Sequence, residues 1–115
     1  MATNQEYFDA VLALKQARID HDTALVNVSS TQTVLNTATL DTEAKFRTME
    51  DSINVGTNAE QKTRAVNYGK AVRVEYNART NYNAAIEQKN QLAEILASAR
   101  QKVIQVANEL ASDPV

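Results

Sequence analysis

Apolar side chains recur every seven residues along the first half of the chain, in three neighbouring rows. Rows that lie three and four residues apart sit side by side on an α-helix and form one stripe. A strict seven-residue repeat of this length predicts a long helix with a coiled-coil partner. The rows are Tyr7, Leu14, His21, Val28, Leu35, Thr42 and Met49; Ala10, Ala17, Ala24, Thr31, Ala38 and Lys45; and Val11, Arg18, Leu25, Gln32, Thr39, Phe46 and Ile53.

The second half of the chain repeats this design. We expect a first helix from about residue 4 to 53, a turn at 54–57 and a second helix from about 58 to 111, all in a single helical domain over residues 1–115. The three rows of the second helix are Tyr68, Glu75, Tyr82, Lys89, Leu96, Val103 and Leu110; Ala71, Ala78, Ala85, Leu92, Ala99 and Val106; and Ala65, Val72, Arg79, Ile86, Ala93, Arg100 and Ala107.

The boundary between the two patterns carries stop and start signals for helices. Gly56 suits the left-handed backbone conformation that ends a helix. Thr57 is a candidate N-cap, and Glu60, three residues later, would complete a capping box. Thr3 and Glu6 repeat this signature at the start of the first helix. The sequence therefore predicts two capped helices joined at Gly56.

Folding the chain at this glycine brings large residues opposite small ones. Such alternation lets two helices pack closely without voids. We therefore predict an all-α fold, a long antiparallel two-helix coiled-coil hairpin, and we expect it to assemble into a helical bundle. The predicted pairs are Ala10 with Val103, Leu14 with Ala99, Ala17 with Leu96, Val28 with Ala85, Thr31 with Tyr82 and Leu35 with Ala78.

An alternative fold follows from a weak segment of the first helix. Residues 27–33, Asn-Val-Ser-Ser-Thr-Gln-Thr, have poor helix propensity. A break there would give a compact three- or four-helix bundle in place of the hairpin.

A further apolar row lies on the far side of the first helix. Leu12, Ile19 and Val26 follow each other at seven-residue spacing, and Leu40 continues the row two heptads later. A lone hairpin would leave these four residues facing water, so we interpret them as an interaction face. The expected partner is a protein, either a second copy of the chain or another subunit, in a homo-oligomer or a larger assembly.

The charges argue against nucleic acid as the principal partner. The net charge is −2 at pH 7, whereas nucleic-acid binders have a basic excess. Basic residues near the turn on the second helix face acidic ones on the first, so we expect ion pairs between the helices that fix their register. A nucleic-acid surface is the alternative role for these bases. The residues are Lys62, Arg64, Lys70 and Arg73, and Asp41, Glu43, Glu50 and Asp51.

The sequence offers no constellation for chemistry. There is no cysteine. The single histidine, His21, lies in a seam row, and its neighbours Asp20 and Asp22 point to other faces of the helix. We find no Gly-rich phosphate loop and no acid–base pair. We therefore expect no catalytic residues, no metal, no cofactor and no enzymatic activity.

No apolar run approaches the length of a membrane span, and the N-terminus lacks the basic and apolar segments of a signal peptide. We expect a location in the cytoplasm or within an assembled particle. Our first hypothesis for function is a non-enzymatic structural or assembly protein, a helical-hairpin subunit of a larger complex such as a virion or tail particle. The alternative is a small soluble binding protein, meaning an inhibitor, adaptor or secreted effector, that presents one helix face to a target.

Overall fold

A computed structural model describes residues 2–112 of the chain, and these residues form two α-helices. Helix α1 spans Asn4–Asp51 and helix α2 spans Asn58–Ala111. The helices pack as a hairpin, which confirms the predicted all-α hairpin. Assembly into a bundle stays a prediction, as does the single domain.

Helix α1 continues without a break through residues 27–33, so the part of the chain that the structure describes forms two helices rather than three or four. Threonine hydroxyls of this segment bond to backbone carbonyls one turn earlier in the helix. Thr31 Oγ1 donates to Val28 O at 3.1 Å, and Thr33 Oγ1 donates to Ser29 O at 3.1 Å. Such hydroxyls often compete with helical hydrogen bonds, but here they bond to carbonyls of the same helix.

The hairpin divides into two compact units. The first consists of residues 2–27 and 86–112, and the second consists of residues Val28–Ala85. In the first unit, Ala2, Ala10 and Val106 form a buried cluster, against which Val103 and Leu110 pack. The sequence pairs Ala10 with Val103, and both residues belong to this packing group.

In the second unit, a hydrogen bond between the helices reports their register. The Thr42 hydroxyl shares its one proton between the backbone oxygen of Ala71, at 3.2 Å, and Ala38 O of its own helix, at 3.0 Å. Thr42 and Ala71 lie one heptad closer to the turn than Leu35 and Ala78, a predicted pair. The hydrogen bond therefore agrees with the register that the sequence predicts.

The seam between the helices is narrower than expected. The row beginning at Val11 was predicted to share the seam, but it is exposed except at Thr39, which is half-buried. Two helices cover mainly two rows on each other, so most of the third row of α1 stays outside. Phe46 of this row, although 41% exposed, still contacts Tyr68 of α2, with ring centroids 5.5 Å apart. Alanines dominate the buried residues of the described chain, which are Ala2, Ala10, Ala17, Ala24, Ala38, Ala71, Ala78, Ala85, Leu96 and Val106.

The turn contains two left-handed residues rather than the single glycine predicted. Helix α1 ends at Asp51, and Asn54 follows with φ of 61° before Gly56 with φ of 85°. Val55 N donates to Ser52 O at 2.9 Å and closes the turn around Asn54. Asparagine is one of the few residues besides glycine that tolerate this conformation.

Candidate interaction surface

Both helices begin with a threonine whose hydroxyl caps the first turn. Thr3 Oγ1 accepts a hydrogen bond from Glu6 N at 3.1 Å, and Thr57 Oγ1 accepts one from Glu60 N at 3.1 Å. At the turn, Thr57 Oγ1 in addition donates to Glu60 Oε1 at 3.3 Å. An ideal Cβ on Gly56 would lie 2.7 Å from Glu60 Oε2, so the carboxylate rests against the glycine. These contacts satisfy helix N–H groups that would otherwise lack a partner.

The four apolar residues of the predicted interaction face are all exposed. The exposed fraction is 48% for Leu12, 49% for Ile19, 69% for Val26 and 66% for Leu40. These positions lie on the side of α1 away from the seam, because a seam residue lies two positions before and another two positions after each of them. The first three belong to the first unit, and Leu40 belongs to the second.

The first unit extends this row into a wider apolar surface. Phe8 lies one turn before Leu12 and is also exposed. Lys15 and Asp22 lie in the same row as Phe8, between the apolar residues. We call this surface the outer face of α1, and it consists of Phe8, Leu12, Lys15, Ile19, Asp22 and Val26.

An open groove adjoins the outer face. Its lining combines apolar and charged side chains: Val11, Leu14, Lys15, Arg18, Ile19 and Asp22. An apolar centre with a charged rim is the usual anatomy of a protein–protein contact patch.

The hairpin buries small apolar side chains and exposes large ones, the reverse of the usual arrangement in a folded protein. Alanines fill most of the seam, and the two larger apolar side chains among the buried residues of the described chain are Leu96, 6% exposed, and Val106, 1% exposed. Leucine, isoleucine and phenylalanine side chains of α1 remain in water. Scattered exposed apolar residues are normal in soluble proteins, but a contiguous row is typical of a binding surface.

The charged residues near the turn do not form the ion pairs between helices that we expected. Among the described residues, both ion pairs lie within one helix: Lys45 with Asp41 at 3.7 Å, and Arg79 with Glu75 at 3.6 Å. Arg64 Nη2 instead donates to Ser52 O at 3.1 Å and to Val55 O. The long arginine side chain thus reaches across from α2 to two backbone carbonyls of the turn that follows α1.

The other three basic residues of this group, Lys62, Lys70 and Arg73, are exposed on α2. His21 is half-buried in the seam of the first unit. Within residues 2–112 no three His, Cys, Asp or Glu side chains come together as a metal site would require.

Neither of the two helices, over the described part of the chain, combines the length and the apolar character needed to cross a bilayer. Comparison with known proteins gives no relative: no family model, no curated protein and no solved structure matches the chain.

Proposed function

We propose that the chain is a non-enzymatic structural or assembly protein, a helical-hairpin subunit of a larger complex such as a virion or tail particle. One observation carries the proposal: large aliphatic side chains line the outside of α1 while alanines fill the seam. Burial of a large apolar side chain contributes about 1.5–3 kcal/mol, and exposed ones forgo that contribution until a partner covers them.

The experiment is light scattering on the purified chain over a range of concentrations. The test variant combines Leu12→Glu, Ile19→Glu and Val26→Glu. A matched control adds the same three charges at the same seven-residue spacing to exposed polar positions of α2, as Gln91→Glu, Ser98→Glu and Gln105→Glu. Circular dichroism shows whether both variants keep their helices.

We expect the wild type and the control to form species larger than a monomer, and the test variant to be a helical monomer. A wild type that stays monomeric at high concentration, and that purifies from its native source without any companion, would refute the assembly function.

A small soluble binding protein, meaning an inhibitor, adaptor or secreted effector, is the second candidate. The charged rim of the groove beside the outer face favours it, because charged rims set the specificity of transient contacts. A defined partner that binds the monomeric chain with 1:1 stoichiometry would support this candidate over the assembly function.

A further inference from the structure

We infer that the outer face of α1 binds the same face of a second copy of the chain, in an antiparallel homodimer with its two-fold axis beside Ile19. The inference rests on the assembly function proposed above and names its first partner. It follows from the symmetric placement of apolar and charged residues about Ile19, and from the surface that the hairpin leaves exposed.

The apolar residues are symmetric about Ile19. Leu12 lies one heptad before it and Val26 one heptad after it, and all three are exposed. An antiparallel pairing centred on Ile19 places Leu12 against the partner's Val26 and Val26 against the partner's Leu12, while Ile19 meets the partner's Ile19. Each contact occurs twice, as a two-fold interface requires.

The charges beside this row are complementary in the same arrangement. Lys15 precedes Ile19 by four residues and Asp22 follows it by three, and both lie on one edge of the row. The antiparallel pairing brings Lys15 next to the partner's Asp22, and Asp22 next to the partner's Lys15. Neither residue forms an ion pair within the described chain. In a parallel dimer this edge would meet the opposite edge of the partner's row, where Gln16 and Thr23 lie, so neither charge would find an opposite charge.

The outer face offers a second copy a long surface to contact. Its apolar residues are exposed from Phe8 to Val26, which spans about 27 Å of α1 at 1.5 Å per residue. The net charge of −2 causes little repulsion between two copies.

Disulfide cross-linking tests the register directly, because the chain has no cysteine of its own. Under mild oxidation we expect Ile19→Cys to form a covalent dimer with itself. Leu12→Cys alone should not, but an equal mixture of Leu12→Cys and Val26→Cys should form the mixed dimer. Leu40→Cys is the matched control, because its exposure is close to that of Val26 but it lies outside the symmetric segment.

Charge reversal tests the orientation independently. Lys15→Glu places two acidic residues together at both ends of the interface, and we expect the dissociation constant of the dimer to rise about tenfold. Asp22→Lys should weaken the dimer similarly. The double variant, Lys15→Glu with Asp22→Lys, restores both contacts with reversed polarity and should recover wild-type affinity in sedimentation analysis.

The outcomes separate this inference from the assembly function. Self-cross-linking by Leu12→Cys would show a parallel dimer. If the double charge reversal does not restore affinity, Lys15 does not contact the partner's Asp22. Either result overturns the antiparallel dimer while assembly through another surface stands. A monomeric wild type that is found in a larger native complex would also overturn the dimer and leave the assembly function intact.

Discussion

The two glycines of the chain provide alanine substitutions with opposite expected effects on stability. Gly56 has φ of 85°, a conformation that side chains with a Cβ rarely adopt, and its added Cβ would meet Glu60 Oε2 at 2.7 Å. Gly69 lies within α2, and a Cβ built there has no heavy atom within 4 Å. Alanine is therefore strained at Gly56 and unhindered at Gly69.

The size of each effect follows from backbone energetics. The left-handed conformation costs an alanine about 1–2 kcal/mol, and the smaller entropy of the unfolded alanine chain offsets about 0.4–1 kcal/mol of this. The exposed carboxylate of Glu60 can move aside, so it adds little. Gly56→Ala should lower the free energy of unfolding by about 1 kcal/mol. Gly69→Ala should raise it by about 0.8–1 kcal/mol, the difference in helix propensity.

Thermal unfolding followed by circular dichroism at one protein concentration measures both changes. A chain of 115 residues has an unfolding entropy of about 240 cal/mol/K, so 1 kcal/mol corresponds to about 4 °C. We expect the melting temperature to fall by about 4 °C for Gly56→Ala and to rise by nearly as much for Gly69→Ala. Equal stability of Gly56→Ala and wild type would refute the need for a left-handed residue in the turn.

Three further substitutions, two of them with a matched control, test contacts within the hairpin, and urea unfolding measures the free energy of unfolding of each variant. Val106→Ala should cost about 2 kcal/mol through lost burial and a cavity, while exposed Val74→Ala should change stability by less than about 0.5 kcal/mol. Thr42→Val removes a hydrogen bond to α2 and should cost about 1 kcal/mol, whereas Thr80→Val, whose hydroxyl bonds within its own helix, should cost less. Arg64→Met removes two bonds to the turn carbonyls and should cost about 1 kcal/mol; no loss would contradict a structural role.

The hairpin could be predicted because independent sequence signals agree on one answer. Gly56, the two threonine caps and the seven-residue repeat all place the turn and the helix starts within a residue or two of where they lie. The register was accessible as well, since a fold placed at Gly56 brings large residues opposite small ones.

Other features depend on distances in three dimensions, which the spacing of residues along the sequence does not determine. The width of the buried stripe depends on how many helices surround α1, so the sequence could not show that Val11 and its row would remain exposed. Long side chains such as Arg64 have several partners within reach, and the spacing of charges does not select among them. The left-handed conformation of Asn54 could have been predicted, because asparagine tolerates it, but the nearby Gly56 was the stronger signal.

Spacing along the sequence also leaves the partner of the predicted interaction face undetermined. A seven-residue repeat shows that Leu12, Ile19 and Val26 share one side of α1, and the structure places that side in water. A single chain cannot show which molecule covers it. Only the symmetry of the residues about Ile19 bears on the occupant, and it favours a second copy.

Small side chains fill the seam and large ones lie on the surface, so burial of the surface in a dimer would link folding of the hairpin to its association. A buried alanine contributes one methyl group, about 0.8 kcal/mol, whereas a leucine or isoleucine contributes up to about 3 kcal/mol. If Leu12 and Ile19 become buried in a dimer, the dimer adds to the stability of the folded hairpin, and the melting temperature rises with protein concentration. For an unfolding enthalpy of about 160 kcal/mol per dimer, at about 0.7 kcal/mol per residue, the rise is about 3 °C for each tenfold increase in concentration. The variant with glutamates at positions 12, 19 and 26 should melt at one temperature throughout. A wild type whose melting temperature is also constant would show that the hairpin folds without help from a partner copy.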